Sequence, residues 1–106
     1  MAKVPLIQPE ELQQRLTSPN PPYILDVREP AEYQRANLGG HLIPLGELPR
    51  RLGELDRNRE IVVHCLSGSR SEMAAQVMLA SGFKHVHNLA GGLRAWAAKV
   101  DPSMKL

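Results

Sequence analysis

The sequence is short of several things, and each shortage narrows what the chain can be. It holds one cysteine in 106 residues. A single thiol cannot close an internal disulfide, so a secreted disulfide framework is excluded and a reducing compartment is expected. No apolar run is long enough to span a bilayer, and the opening "MAKVPLIQPEE" has no signal-peptide core. These absences make the cytoplasm the expected location. The formal charge is only +2, which gives no case for nucleic-acid or membrane partners. There is no internal repeat and no low-complexity segment. The proline cluster "TSPNPP" (17–22) reads as a loop, because too little chain precedes it to form a domain. One domain over residues 1–106 is expected, able to bury roughly 65% of its unfolded surface. No exposed apolar stripe calls for a second copy, so a monomer is expected.

What is present alternates. "PEELQQRL" reads as a helix, with Pro9 in the first turn and acidic residues at its positive end. "YILDV" reads as a strand, "EPAEYQRA" as a helix starting near Pro30, and "LIPL" as a brief extended piece. "GELPRRLGEL" reads as a helix broken around Pro49 and Gly53. "IVVHC" is the strongest strand. "SRSEMAAQVMLASGF" is the strongest helix: Ser69 and Glu72 are spaced as a capping box, and Met73, Ala74, Val77, Met78 and Ala80 form an apolar stripe. Gly82 should stop it, with Phe83 packing back on the last turn. "VHNL" reads as a strand and "GGLRAWAAKV" as a final helix with Trp96 inward. Strands alternating with helices predict an α/β domain, a mainly parallel sheet covered on both faces. Ligands of such sheets bind beyond the carboxyl ends of the strands, and Cys65 stands at that end of the best strand.

The stretch "IVVHCLSGSRS" is therefore the candidate site. Leu66, Ser67, Gly68 and Ser69 must curl between strand and helix, and Gly68 permits the backbone this needs. A curled loop entering a helix points N–H groups inward as an anion-binding nest, and the helix dipole adds positive potential. Both favour thiolate over thiol, so Cys65 is expected to be a nucleophile with a depressed pKa. The plainer reading is a small buried hydrophobe. His64 should face away from Cys65, since side chains alternate along a strand. Its expected role is support of the loop backbone. His41, His85 and His87 show no metal-ligand pattern, so neither metal nor cofactor is expected.

Three ordered segments, "YILDVREPAEY", "IVVHCLSGSRS" and "LASGFKHVHNLAGGLRAW", resemble the rhodanese homology domain. The resemblance implies a five-stranded α/β fold. It also implies that Cys65 accepts a sulfane sulfur as a persulfide and passes it to an acceptor. The backbone from Leu66 to Ser71 would stabilise the persulfide anion, and Arg70 would close the loop and add positive potential. Asp26 and Arg28 would support the site, or form a structural ion pair. Many members carry Arg or Lys directly after the cysteine. Leu66 stands there here, which points away from free thiosulfate and towards a protein-bound donor such as the persulfide of a cysteine desulfurase. "LGGHLIPLGELPRRLGELD" and "VDPS" resemble the C-terminal rhodanese domain of molybdopterin-synthase adenylyltransferase/sulfurtransferase proteins. Members of that subgroup hand sulfur to a ubiquitin-like carrier, which makes a sulfur-carrier protein or an adenylyltransferase an implied partner.

Two other readings compete. Cysteine phosphatases and arsenate reductases use a similar loop, but place five residues between Cys and Arg where this chain has four. The shorter loop should close a smaller nest, suited to one sulfur atom. A non-catalytic interaction module on the same fold is the second. With one cysteine, a persulfide has no internal thiol to resolve it, so sulfur must leave to an external acceptor.

Overall fold

The computed structural model describes residues 3–106. Five strands form one sheet: β1 Leu6–Ile7, β2 Tyr23–Asp26, β3 His41–Leu42, β4 Ile61–His64 and β5 Val86–Leu89. Their order is β1-β5-β4-β2-β3, and every pairing is parallel. The helices are α1 Pro9–Leu16, α2 Pro30–Arg35, α3 Leu48–Arg51, α4 Ser69–Ala80 and α5 Gly92–Lys99. A central parallel strand covered on both faces needs apolar side chains on both. All of β4, Ile-Val-Val-His, is buried.

Alternation along the strands divides the core. On one face Leu25, Val27, Ile61, Val63 and Cys65 meet Leu48 of α3 and Ala74, Ala75 and Met78 of α4. On the other, Ile7, Ile24, Val62 and Leu89 meet Leu12 of α1 and Leu93 and Trp96 of α5. This is the α/β, two-faced architecture the alternation implies. The helix α4 ends as expected: Gly82 takes φ +92°, and the Phe83 and Gly82 N–H groups bond the carbonyls of Met78 and Leu79 at 3.1 and 3.3 Å.

Three local expectations change. The N-cap of α4 is Gly68, not Ser69, and no side chain caps it. The Glu72 N–H bonds the Gly68 carbonyl at 3.1 Å, while its carboxylate takes the Gln76 amide, so no capping box forms. The buried face of α4 is Ser71, Ala74, Ala75 and Met78; Met73 is 60% exposed and Ala80 is exposed as well. The buried stripe is rotated from the expected one because Ser71, a polar residue, faces inward. The edge strand β1 has no counterpart among the strands expected from sequence.

Candidate functional site

The β4 strand delivers Cys65 to the carboxyl end of the sheet, with no exposed surface. Gly68, at φ +108°, turns the loop back over the sulfur. The Gly68 N–H reaches Sγ at 3.1 Å, and the Ser71 N–H and hydroxyl each lie 3.4 Å from it. Burial alone would push the Cys65 thiol up. Hydrogen bonds from the Ser71 hydroxyl and from the N–H groups of Ser71, Gly68 and Ser67 outweigh it, and the thiol lies below its ordinary value.

The loop residues divide by task. Ser67 and Ser69 are exposed, and their hydroxyls meet each other at 3.4 Å. Leu66 packs against the core cluster of α1 and α5. It also walls a cleft of about 170 Å³ with Arg28, Glu32, Arg35, Ala36 and Leu106. Arg70 does not stand as a free cation. It grips both oxygens of Glu32 at 2.7 and 2.9 Å, so its positive potential at the loop is offset by a carboxylate. That grip, opposed by burial and helped by the Glu29 N–H, holds the Glu32 carboxyl at about 2.

Asp26 and Arg28 form a buried ion pair on the opposite face of the sheet from the thiol. The Arg28 guanidinium contacts both Asp26 oxygens, the closest at 2.8 Å. It also donates to the Ala36 and Glu32 carbonyls at 2.7 and 3.4 Å. A cation at these carbonyls satisfies the C-terminal end of α2. Through α2, the pair positions Glu32 and hence Arg70. Asp26 lies directly across from His64 in the sheet register. Burial pushes the His64 imidazole down towards its neutral form. Its Nδ1 lies 3.4 Å from the Cys65 carbonyl, and its Nε2 lies 3.6 Å from Asp26 without a hydrogen bond. His64 therefore faces away from the sulfur, as alternation requires.

The main support of the loop backbone lies elsewhere. The N–H groups of Leu93 and Arg94, at the start of α5, bond the Cys65 and Leu66 carbonyls at 3.0 Å each. Gly92 makes this approach possible: a Cβ there would stand 2.5 Å from the Leu66 oxygen, and its φ is +62°. The sequence reading takes "GGLRAWAAKV" as a helix and a family mark and assigns its glycines no role at the thiol loop. It misses Glu32 and Asn88 as well. Asn88, in β5, is 3% exposed and hydrogen-bonds both Ser71 and Gly68. The signal for each is present, a glutamate in the first turn of α2 and an amide between apolar Val86 and Leu89 in β5, but not its partner. Among the described residues no three His, Cys, Asp or Glu side chains gather to hold a metal, and no helix is long and apolar enough to cross a membrane.

A parallel α/β domain whose central strand ends in a thiol cradled by backbone N–H groups defines a class of small thiol proteins. Residues 8–99 match the family model described as Rhodanese-like domain. The chain belongs to that family. It is 45% identical over 101 residues to YrkF of Bacillus subtilis, a protein named as a putative sulfur carrier, covering 94% of this chain and 55% of YrkF. It is 36% identical to a sulfurtransferase of Allochromatium vinosum, covering 86% of each. It is 35% identical to the protein named probable adenylyltransferase/sulfurtransferase MoeZ of Mycobacterium tuberculosis, covering 97% of this chain and 27% of MoeZ. The chain thus spans about half the length of YrkF and about a quarter of MoeZ. The rhodanese-like domain protein of Staphylococcus aureus superposes with a TM-score of 0.83 at 27% identity, covering 97% of this chain and 98% of that one. Family and relatives together support sulfurtransferase chemistry in general.

Proposed function

We propose that the chain is a sulfurtransferase that carries sulfane sulfur as a persulfide on Cys65. The Cys65 thiolate attacks the outer sulfur of the donor. The new Sγ–S bond forms as the donor's S–S bond breaks, and its electron pair leaves as sulfite from thiosulfate or as a thiolate from a persulfide donor. An acceptor nucleophile then takes the outer sulfur and returns Cys65 as thiolate; cyanide would leave as thiocyanate. The carrying observation is the set of donors converging on Sγ, Gly68 N–H at 3.1 Å with the Ser71 N–H and hydroxyl at 3.4 Å. Fixed dipoles aimed at one sulfur stabilise its charge without relying on an unpaired counter-ion that would hold the product. The exposed loop positions Ser67 and Ser69, with Leu66 and Arg70, rim this nest.

The donor reading follows from charge. Position 66 is leucine, and Arg70 is bound to Glu32. A loop with no unpaired cation favours a persulfide on a protein, such as a cysteine desulfurase, over the thiosulfate dianion. The relative MoeZ supports a ubiquitin-like sulfur carrier as acceptor, within molybdopterin, thiamine or tRNA thiolation. The pairing of Arg70 with Glu32 also weighs against a phosphatase, whose loop arginine must face a tetrahedral oxyanion. Intact-mass measurement after incubation with thiosulfate, and separately with a charged desulfurase, tests the proposal. One added sulfur is expected on the wild-type chain and none on Cys65→Ser. No adduct with either donor refutes it.

A further inference from the structure

Asn88 lies on the α4 face of the sheet, paired with Val63 two residues before Cys65. An amide inside a buried strand must satisfy both of its polar atoms. Its two partners are Gly68 in the thiol loop and Ser71 in the first turn of α4. Nδ2 donates to the Gly68 carbonyl at 3.1 Å, and Oδ1 accepts from the Ser71 hydroxyl at 2.6 Å. The orientation of the amide is forced: the Gly68 carbonyl can only accept, so the nitrogen must face it.

These two contacts fall on the residues that reach the sulfur. Gly68 supplies the 3.1 Å N–H, and Ser71 supplies an N–H and a hydroxyl. We propose that Asn88 is a positioning residue that clamps the loop at Gly68 and at Ser71, so that their N–H groups point at the sulfur. Gly68 is in the positive-φ region and has no side chain to fix it. Its carbonyl is held by the Asn88 amide on one side and by the Glu72 N–H on the other. With the amide removed, the Gly68–Ser69 peptide keeps only the Glu72 anchor, the φ and ψ of Gly68 can relax, and the preceding Ser67–Gly68 peptide can swing its N–H off the sulfur.

Ser71 adds a second consequence. A hydroxyl has one proton, so Ser71 donates to Asn88 at 2.6 Å or to Sγ at 3.4 Å, and with a neutral thiol the shorter bond to Asn88 is favoured. The Ser71 oxygen then offers its lone pairs to Sγ and accepts the S–H proton of the neutral thiol. When the sulfur is anionic, the hydroxyl can turn its proton to it. Asn88 thus serves both charge states, by holding the Ser71 proton in one and the Gly68 carbonyl in both. No charged group need move: Arg70 stays on Glu32, and His64 stays on the opposite face.

The inference rests on Cys65 as the sulfur carrier, yet its test needs no sulfur donor. The titration midpoint of the single thiol is read from thiolate absorbance in four proteins: the wild type, Asn88→Leu, Ser71→Ala and the double variant. Leucine keeps the volume and removes both bonds. Asn88→Leu is expected to raise the midpoint by about one pH unit, about tenfold less thiolate near neutral pH. The rise should persist in the Ser71→Ala background, because the Gly68 contact is independent of the hydroxyl. An unchanged midpoint in a folded Asn88→Leu protein overturns the clamp. So does a lowered midpoint, which would make Asn88 only a competitor for the Ser71 proton, or a rise that vanishes in Ser71→Ala. Should Asn88→Leu not fold, the wild-type Asn88 side-chain amide resonances decide the same question by NMR. They are expected to follow the thiol titration, and their indifference to it would overturn the proposal. Persulfide formation can succeed or fail independently of either readout.

Discussion

Two polar clusters flank the carboxyl end of β4 on opposite faces of the sheet, and they hold negative charge in different ways. On one face Asp26 meets the Arg28 guanidinium at 2.8 Å, a permanent charge answered by another. On the other, Cys65 is met chiefly by neutral donors, the N–H groups of Gly68, Ser71 and Ser67 and the Ser71 hydroxyl, with the Glu32-bound Arg70 guanidinium as the one charge that also acts on it. A buried full ion pair suits a charge that never changes, because removing one partner leaves the other stranded. Neutral dipoles suit a charge that comes and goes, since they leave no uncompensated ion when the sulfur is protonated. The one cation placed to alter that balance, Arg70, is itself neutralised by Glu32. The first cluster builds the frame; the second does the chemistry proposed for it.

Breaking the frame should have the largest effect. Arg28→Leu leaves Asp26 buried without its partner and frees the carbonyls at the end of α2, a loss of about 3–5 kcal/mol. Urea unfolding should show a protein with little or no folded baseline. Gly92→Ala comes next. Its Cβ would stand 2.5 Å from the Leu66 oxygen at a φ of +62°, a strain of about 1–3 kcal/mol from the backbone alone. Thermal melting should fall, and persulfide yield per folded molecule should fall with it, because the displaced carbonyls belong to the loop.

A pH series sharpens the contrast further. The imidazole of His64 is pushed down by burial, so the unfolded chain binds its proton more readily. Stability from that group is present above the ordinary histidine value of 6.5 and is lost as pH falls below it. Urea midpoints between pH 7 and 5 should drop in the wild type, with a shallower drop in His64→Asn. Glu32 acts lower. Its carboxyl is held at about 2 against an ordinary 4.5, so its contribution is full above 4.5 and fades as pH falls towards 2. Glu32→Gln should remove that acid slope at a cost of about 1 kcal/mol or less, since the pair is a third exposed. Freed Arg70 should then lower the thiol titration midpoint, a small shift visible by thiolate absorbance.

The architecture is legible in the sequence because β2 and β4 are rich in Val, Ile and Leu, β5 begins and ends on Val and Leu, and their helices carry proline or glycine at the ends. The two-residue β1 is not, since Leu6–Ile7 follows Pro5 and gains its order only by pairing with β5. The start of α4 differs by one residue from the sequence expectation. Ser69 fits the spacing of a cap, but the positive φ of Gly68 takes that place and frees the serine to solvent. At the site, Cys65 and Gly68 can be named from strand and glycine signals, and Ser71 enters only through the family resemblance. Their holders cannot. Glu32 is 38 positions from Arg70, and Asn88 is 17 from Ser71. No local pattern reports a contact at that distance; only the strand order β5-β4-β2 brings them to one place.

At Cys65 the deciding balance is between neutral dipoles and burial. The measurement is the titration of thiolate absorbance in the wild-type protein, which needs no reagent to reach a sulfur with no exposed surface. A midpoint below the ordinary thiol value of 9.0 is predicted. A midpoint at or above that value would contradict the dipole account, and would make Cys65 a buried apolar residue rather than an anion carrier.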